Sequence, residues 1–295
     1  MDWSFTVTFC RIAAALLLVF AAANAGAEES RIVSLVPSFT ETLFAIGAGA
    51  DVVGVSTYCA YPPEAAKLPR AGGLFDPSIE AIVVLKPTLV LMSGYAADAA
   101  KRIETLGIRT IALRHDTLEE ILASFRAIGE ATGRAAEGEA LAAQIESEIE
   151  AARKASADRP KTRTLLVVGR DVSVPTLREV YAAGPTGYLN ELLEAAGGTN
   201  VLTESATSYP VLTAESILAL RPDLVLEIAD DQHAKQIESG EAYAPWKTVP
   251  GLNLVDEGRV KILTGNYLNI PGPRIELTLR DFAKALHPEA EPPAE

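Results

Sequence analysis

"SIEAIVVLKPTLVL", residues 78–91, and "TAESILALRPDLVL", residues 213–226, follow one plan. Each begins on a hydroxyl residue and has glutamate in third place. A short apolar-rich stretch follows, then a basic residue and proline, then an apolar run. The residue before a proline is pushed out of the right-handed helical region. Each segment therefore reads as a short helix, a stop, and a buried strand. A second pair precedes the first: "TETLFAIGAGADVV" (40–53) and "LNELLEAAGGTNVL" (189–202), each a helix, a Gly-rich stop and a strand. Each is in turn preceded by a strand, "RIVSLV" (31–36) and "TRTLLVV" (162–168). Strand–helix–strand–helix–strand thus occurs twice. Such alternation predicts an α/β fold of two lobes with largely parallel sheets.

Between the lobes lies a stretch with Leu141, Ile145 and Ile149 at four-residue spacing, alanines between them and charges elsewhere. It reads as one long amphipathic helix over 134–160, stopped near Pro160. About 20 helical residues span roughly 30 Å, enough to join two lobes rigidly and leave a ligand cleft between them. The expected division is an N-terminal lobe over 28–133, this linking helix, and a C-terminal lobe over 161–287. The second lobe continues through the strand "RVKIL" (259–263) to a helix with Pro273 in its first turn. The Pro/Glu-rich residues 288–295 read as a disordered tail.

Residues 1–27 have a basic residue, Arg11, then a short apolar run and a small-x-small site ending at Ala27. That is the plan of a secretory signal, and the run is short for a membrane span. A retained anchor is the alternative. Cys10 precedes the apolar run, where a lipoprotein cysteine would follow it. The expected location is therefore the periplasm, in soluble form. Past the signal, the chain suits two domains of ~130 residues. A net charge of −13 makes nucleic acid and anionic membranes poor partners. Cys59 is the one cysteine beyond the signal, so no intrachain disulfide is available.

Catalytic signals are sparse. His115, His233 and His287 fall in no metal-binding spacing, and there is no nucleophile elbow or phosphate loop. Gly47 and Gly49 follow a helix and read as its stop, not as a dinucleotide fingerprint. The expectation is no catalytic residue and no metal site. Aromatic residues recur in the loops instead: Phe39, Tyr58 and Tyr95 after strands, Tyr209 before a helix, Tyr181 in "REVYAAGP" and Tyr267 in "TGNYLN". Strand carboxyl ends line ligand crevices in α/β sheets. Two lobes presenting these rings would form a slot for a bulky planar ligand, with phenol hydroxyls as polar tips.

The stretches "VGVSTYCAYPPEA" (53–65), "GGLFDPSIEAIVVLKPTLVL" (72–91), "YAAGPTGYLNELLEAAGGTNVL" (181–202) and "NIPGPRIELTLRDFAKALHP" (269–288) carry a resemblance. Over nearly the whole mature length the chain resembles the periplasmic binding proteins of ABC importers whose lobes are joined by one rigid helix, most of all their cobalamin-binding branch. The resemblance implies a monomeric, non-enzymatic receptor with no cofactor of its own. It would capture cobalamin or another corrinoid and deliver it to a dimeric permease in the inner membrane. It implies ligand contacts from Phe39, Tyr58, Phe75, Tyr95, Tyr181, Tyr209, Asn266 and Tyr267. It also implies permease docking through Glu80 and Glu215, which the repeat places equivalently in the two lobes; for each, complementing a helix dipole is the alternative role. Departures are visible: Tyr209 and Leu74 or Phe75 stand at tryptophan positions, Ser93 at an aromatic one, Asn266 at an acid and Ile270 at a base. A haem or ferric-siderophore receptor on the same scaffold stays open, with Tyr58, Tyr95 or His115 as axial ligands for haem. An exported two-lobed enzyme is the alternative of another class. Arg274, a cation in a helix's first turn, opposes the dipole and is expected to pair with a carboxylate or a polar ligand edge.

Overall fold

A computed structural model describes residues 30–171, 174–229, 231–249, 251 and 253–288. The signal-like segment and the tail beyond Pro288 lie outside the described residues. The N-terminal sheet has strands β1 (Ile32–Ser34), β2 (Val52–Val55), β3 (Leu89–Ser93) and β4 (Arg109–Leu113) in the order β2-β1-β3-β4, all parallel. Helices α1 (Pro37–Ala45), α2 (Ile79–Val84) and α3 (Ala97–Glu104) connect them, and α4 (Leu118–Ala131) follows. Helix α5 (Ala135–Ser156) leads to the second sheet. Its parallel strands are β5 (Thr162–Arg170), β7 (Gly198–Asn200), β9 (Leu224–Ala229) and β10 (Val260–Thr264). β7 and β9 flank β5, and β10 lies outside β9. This reproduces the N-terminal order strand for strand, so the repeat read from the sequence is a repeat of topology.

The physical basis of the repeat is visible at the helix stops. Lys86 and Arg221, the basic residues before Pro87 and Pro222, end α2 and α7 (Ala214–Leu220) with φ of +47° and +48°. They are the non-glycine residues with positive φ among those described. Proline bars the helical conformation from the residue before it, and both chains leave the helix by the same left-handed step. Gly47 ends α1 in the same way at φ +80°. Gly49 has another role: a Cβ there would lie 2.5 Å from the Phe44 ring.

The C-terminal lobe departs from the simple repeat. β6 (Glu179–Ala182) runs antiparallel to the second half of β5, and β8 (Val211–Thr213) antiparallel to β6. β5 is long enough to pair with β7 through its first residues and with β6 through its last. "REVYAA", read from the sequence as a loop carrying Tyr181, is therefore partly strand. Helices α6 (Tyr188–Ala195), α7, α8 (Ala234–Glu238) and α9 (Ile275–Leu286) complete the lobe. Pro273 precedes α9, whose N-cap is Arg274, and so does not stand in its first turn. Among the described residues no helix is long and apolar enough to cross a membrane.

Helix α5 is not a free strut. It packs along α4, where Gly129 and Gly138 let the backbones meet: a Cβ on Gly138 would lie 2.7 Å from the Phe125 carbonyl oxygen. Ile145 and Ile149 share one apolar cluster with Ile121 and Phe125 of α4, Leu192 of α6 and Phe282 of α9. Leu141 touches both this cluster and the N-terminal core. Polar ties add to the shared core. The Leu118 N–H donates to Glu191 Oε2 at 2.6 Å, and the Tyr188 N–H to the Asp116 carbonyl at 2.7 Å. Hinge motion between the lobes would have to break these contacts as well as bend the helix.

Candidate functional site

Parallel strands in both sheets bring their carboxyl ends, and the loops that follow, to one side of each sheet. A cleft of about 590 Å³ lies between the lobes there. One wall comes from the N-terminal loops: Phe75, Ser93, Tyr95 and residues 114–117. The other comes from the C-terminal lobe, with Tyr188 and Tyr209, and Asn269 and Pro271 also line the cleft. The first turn of α6 reaches the cleft because Gly187 takes φ +104°, a conformation that costs glycine little.

Of the residues expected at the site, Phe75, Tyr95 and Tyr209 line this cleft, all three solvent-exposed. Phe39 does not. It is fully buried in the N-terminal core, its ring edge-on to His115 at 5.3 Å. The first residues after β1 face the sheet as well as the cleft, and Phe39 takes the inward side. Tyr58 is exposed on the loop after β2, outside the enclosed part of the cleft. That loop is pinned beneath by Cys59, which is buried beside the Thr40 and Ser56 hydroxyls, and by Arg70, which donates to the carbonyls of Ser56 and Cys59 at 2.9 Å. Tyr181 is exposed on β6 and lies outside the cleft lining. Tyr267 is half-buried, its hydroxyl donates to Asp281 at 2.6 Å, and burial first, then this bond, pushes its phenol up to about 12. Asn266 accepts a hydrogen bond from Arg274 at 2.6 Å.

Sequence reasoning named His115 and expected a carboxylate or a polar ligand edge as partner for Arg274, but missed the other charged groups. Arg114 donates to Asp116 at 2.7 Å and to Glu120 at 2.8 Å, and lies over the Tyr95 ring at 5.1 Å. The Tyr95 hydroxyl donates to Asp116 Oδ2 at 2.5 Å, and this bond raises its pKa, so the phenol holds its proton. Burial lowers the pKa of His115. Arg274 reaches across from the C-terminal lobe to Glu41 of α1 through two bonds of 2.8 and 2.6 Å. Its guanidinium stacks on Tyr61 at 3.9 Å. Burial pushes the Glu41 carboxyl up, and Arg274 offsets this only in part. Arg170 pairs with Glu227 at 2.7 Å deep in the C-terminal lobe. The one sequence signal for that pair was a glutamate inside the apolar run "LVLEIA". Asn269 had none. Among the described residues no cluster of three or more His, Cys, Asp or Glu forms a metal site.

Glu80 and Glu215 stand away from the cleft, both exposed, each in the first turn of its helix. Ser78 and Thr213 cap the two helices in the same way, accepting from the N–H groups of Ala81 and Ser216.

Comparison with known proteins places the scaffold. Residues 32–226 match the model of a family described as periplasmic binding protein. A Bacillus subtilis ABC transporter substrate-binding lipoprotein, YvrC, described as uncharacterized, is 29% identical over 272 residues, 89% of this chain and 81% of that one. A cobalamin-binding protein of Halobacterium salinarum is 29% identical over 266 residues, 88% of this chain and 70% of that one. The apo structure of the periplasmic heme-binding protein RhuT from Roseiflexus is also 29% identical, with a TM-score of 0.74 over 89% of this chain and all of that one. Identity is thus equal for a relative named for cobalamin and one named for haem, and does not choose between their ligands.

Proposed function

The chain belongs to the periplasmic binding protein family, and we propose that it is the substrate-binding component of an ABC importer for a corrinoid such as cobalamin. One observation carries the choice of ligand: the arginines around the cleft are already spent on carboxylates. Arg114 faces Asp116 and Glu120, Arg274 faces Glu41, and Arg170 faces Glu227. Arg114 is exposed, so its pairs are weak. Were it to swing toward a ligand, two carboxylates would remain beside it. Haem presents carboxylates at its edge, and ferric siderophores are commonly anionic. Either would enter a cleft whose lining arginine, Arg114, is already paired, with a negative surround. A corrinoid edge carries amides, which hydrogen-bond without needing a counter-charge. Tyr95, tied to Asp116 and protonated, is also a poor phenolate ligand for iron.

The test is titration of the purified chain with cyanocobalamin, haemin and a ferric catecholate, followed by absorption and calorimetry. Cyanocobalamin is expected to bind about 1:1, and haemin to leave its Soret band unshifted. Tight haemin binding with no corrinoid binding overturns the reading.

Within the same reading, Tyr209→Ala weakens corrinoid binding about 10-fold and leaves the fold intact. Loss of a ring contact is worth roughly 0.5–1.5 kcal/mol beyond buried area, and 1.4 kcal/mol is about tenfold. Calorimetry beside a thermal melt checks both parts. Unchanged affinity would remove Tyr209 from the site.

A further inference from the structure

One lining residue of the cleft is shared with a neighbouring cavity. Asn269 lines the cleft and also lines a second cavity of about 370 Å³, sunk into the C-terminal lobe at the carboxyl ends of β5, β9 and β10. Arg170 and Glu227 form the wall of this chamber, their side chains 3% and 2% exposed. Glu227 is satisfied on both oxygens, by Arg170 Nε and by Trp246 Nε1, each at 2.7 Å. The pair's charges cancel. His233 lines the chamber, and its Nδ1 is buried with no hydrogen-bond partner among the described residues. Asn266 also lines it; with its oxygen taken by Arg274, its amide nitrogen remains a donor. Asp231 adds an acid that forms no ion pair among the described residues.

The lining therefore holds donors and acceptors together, no spare cation, and one uncompensated negative charge. A buried polar group without a partner is costly, and His233 Nδ1 has none among the described residues. A carboxylate entering would meet Asp231, while Arg170 and Arg274 are already paired with Glu227 and Glu41. A primary amide, with one acceptor oxygen and two N–H donors, meets the lining without a charge to desolvate.

We propose that this chamber is a side-arm subsite that takes an uncharged propionamide arm of the ligand held in the cleft. The proposal rests on the corrinoid reading of the cleft. The longer arms of the macrocycle suit it, because the chamber adjoins the cleft at Asn269.

The test compares cyanocobalamin with its b-, d- and e-monocarboxylic acids, in each of which one propionamide is hydrolysed to a carboxylate. Binding is measured by calorimetry to the wild-type chain and to His233→Phe and Asn269→Leu, which remove a polar group from the chamber lining and from its border with the cleft. The wild type is expected to bind one isomer about tenfold more weakly than the parent and the others like the parent. Each variant is expected to bind the parent about tenfold more weakly and to lose discrimination between the isomers, while melting like the wild type. Normal binding of the parent with equal affinity for all isomers overturns the subsite alone. Unchanged affinity and selectivity in both variants does the same. Failure of the parent to bind the wild type overturns the cleft reading, and the subsite with it.

Discussion

Glu227→Ala is expected to destabilise the chain by roughly 3–5 kcal/mol, a fall in melting midpoint on the order of 10 °C. The size follows from what the substitution leaves behind. The Arg170 guanidinium would stay buried without its counter-charge, and the fully buried Trp246 would lose the acceptor for its indole N–H. An unsatisfied buried donor alone costs about 1–3 kcal/mol. The pair itself need not be strongly stabilising. Burial pushes the Glu227 carboxyl up, against the pull of Arg170 and Trp246, so desolvation consumes much of the attraction. The double replacement Arg170→Met/Glu227→Leu, which removes both charges and keeps bulk, is therefore expected to recover most of the loss. Urea midpoints for the two singles and the double form the cycle. A Glu227→Ala loss below about 1 kcal/mol, or a double no better than the singles, would mean that water or local rearrangement already reaches the pair.

The cost of this pair also marks the limit of what the sequence showed. The twin sheets were legible because their signals are local: a capping hydroxyl, a helix, a basic residue held out of the helix by proline, an apolar strand. Lys86 and Arg221 turn those letters into the same backbone step in both lobes. β6 and β8 were not legible: β1 and β7 are as short, but they stand in the strand–helix repeat, whereas β6 and β8 have no counterpart in it. The loop aromatics were visible as a class, but the face each ring takes is set by packing. Phe39 turned inward, while Tyr95 and Tyr209 face the cleft. The electrostatics were least visible. Glu41 and Arg274 lie 233 residues apart in the chain and meet only because α1 and the N-cap of α9 close on one another. The sequence showed that Arg274 needed a partner, and nothing in it named Glu41. Whether an arginine is free for an anionic ligand depends on such meetings, so the ligand choice rests on tertiary pairing.

Charge reversal in both lobes, Glu80→Arg with Glu215→Arg, is expected to abolish uptake by the cognate permease while ligand affinity stays unchanged. The two acids occupy equivalent places. Each is the second residue of a short helix, behind a hydroxyl cap, on the connection that enters the second strand flanking β1 or β5. Neither lines the cleft. The carboxyl of Glu215 is held below its ordinary range by its own backbone N–H and the Thr213 hydroxyl, so it stays ionised at neutral pH. Exposed apolar side chains follow each acid by about one turn: Val83 and Val84 after Glu80, Leu218 after Glu215. An exposed acid beside an apolar shoulder, present once per lobe, suits a two-fold partner offering a basic patch to each. At such a surface the charges steer encounter and fix orientation. A single reversal sets like charges together at one lobe and is expected to slow uptake. The double leaves neither lobe a favourable approach. If the acids merely complement helix dipoles, the same substitutions cost only about 0.3–1 kcal/mol of stability each and leave transport intact. Uptake of the ligand into permease vesicles, measured beside its affinity for each variant, separates the accounts, and full transport by the double reversal would leave Glu80 and Glu215 as helix-start acids alone.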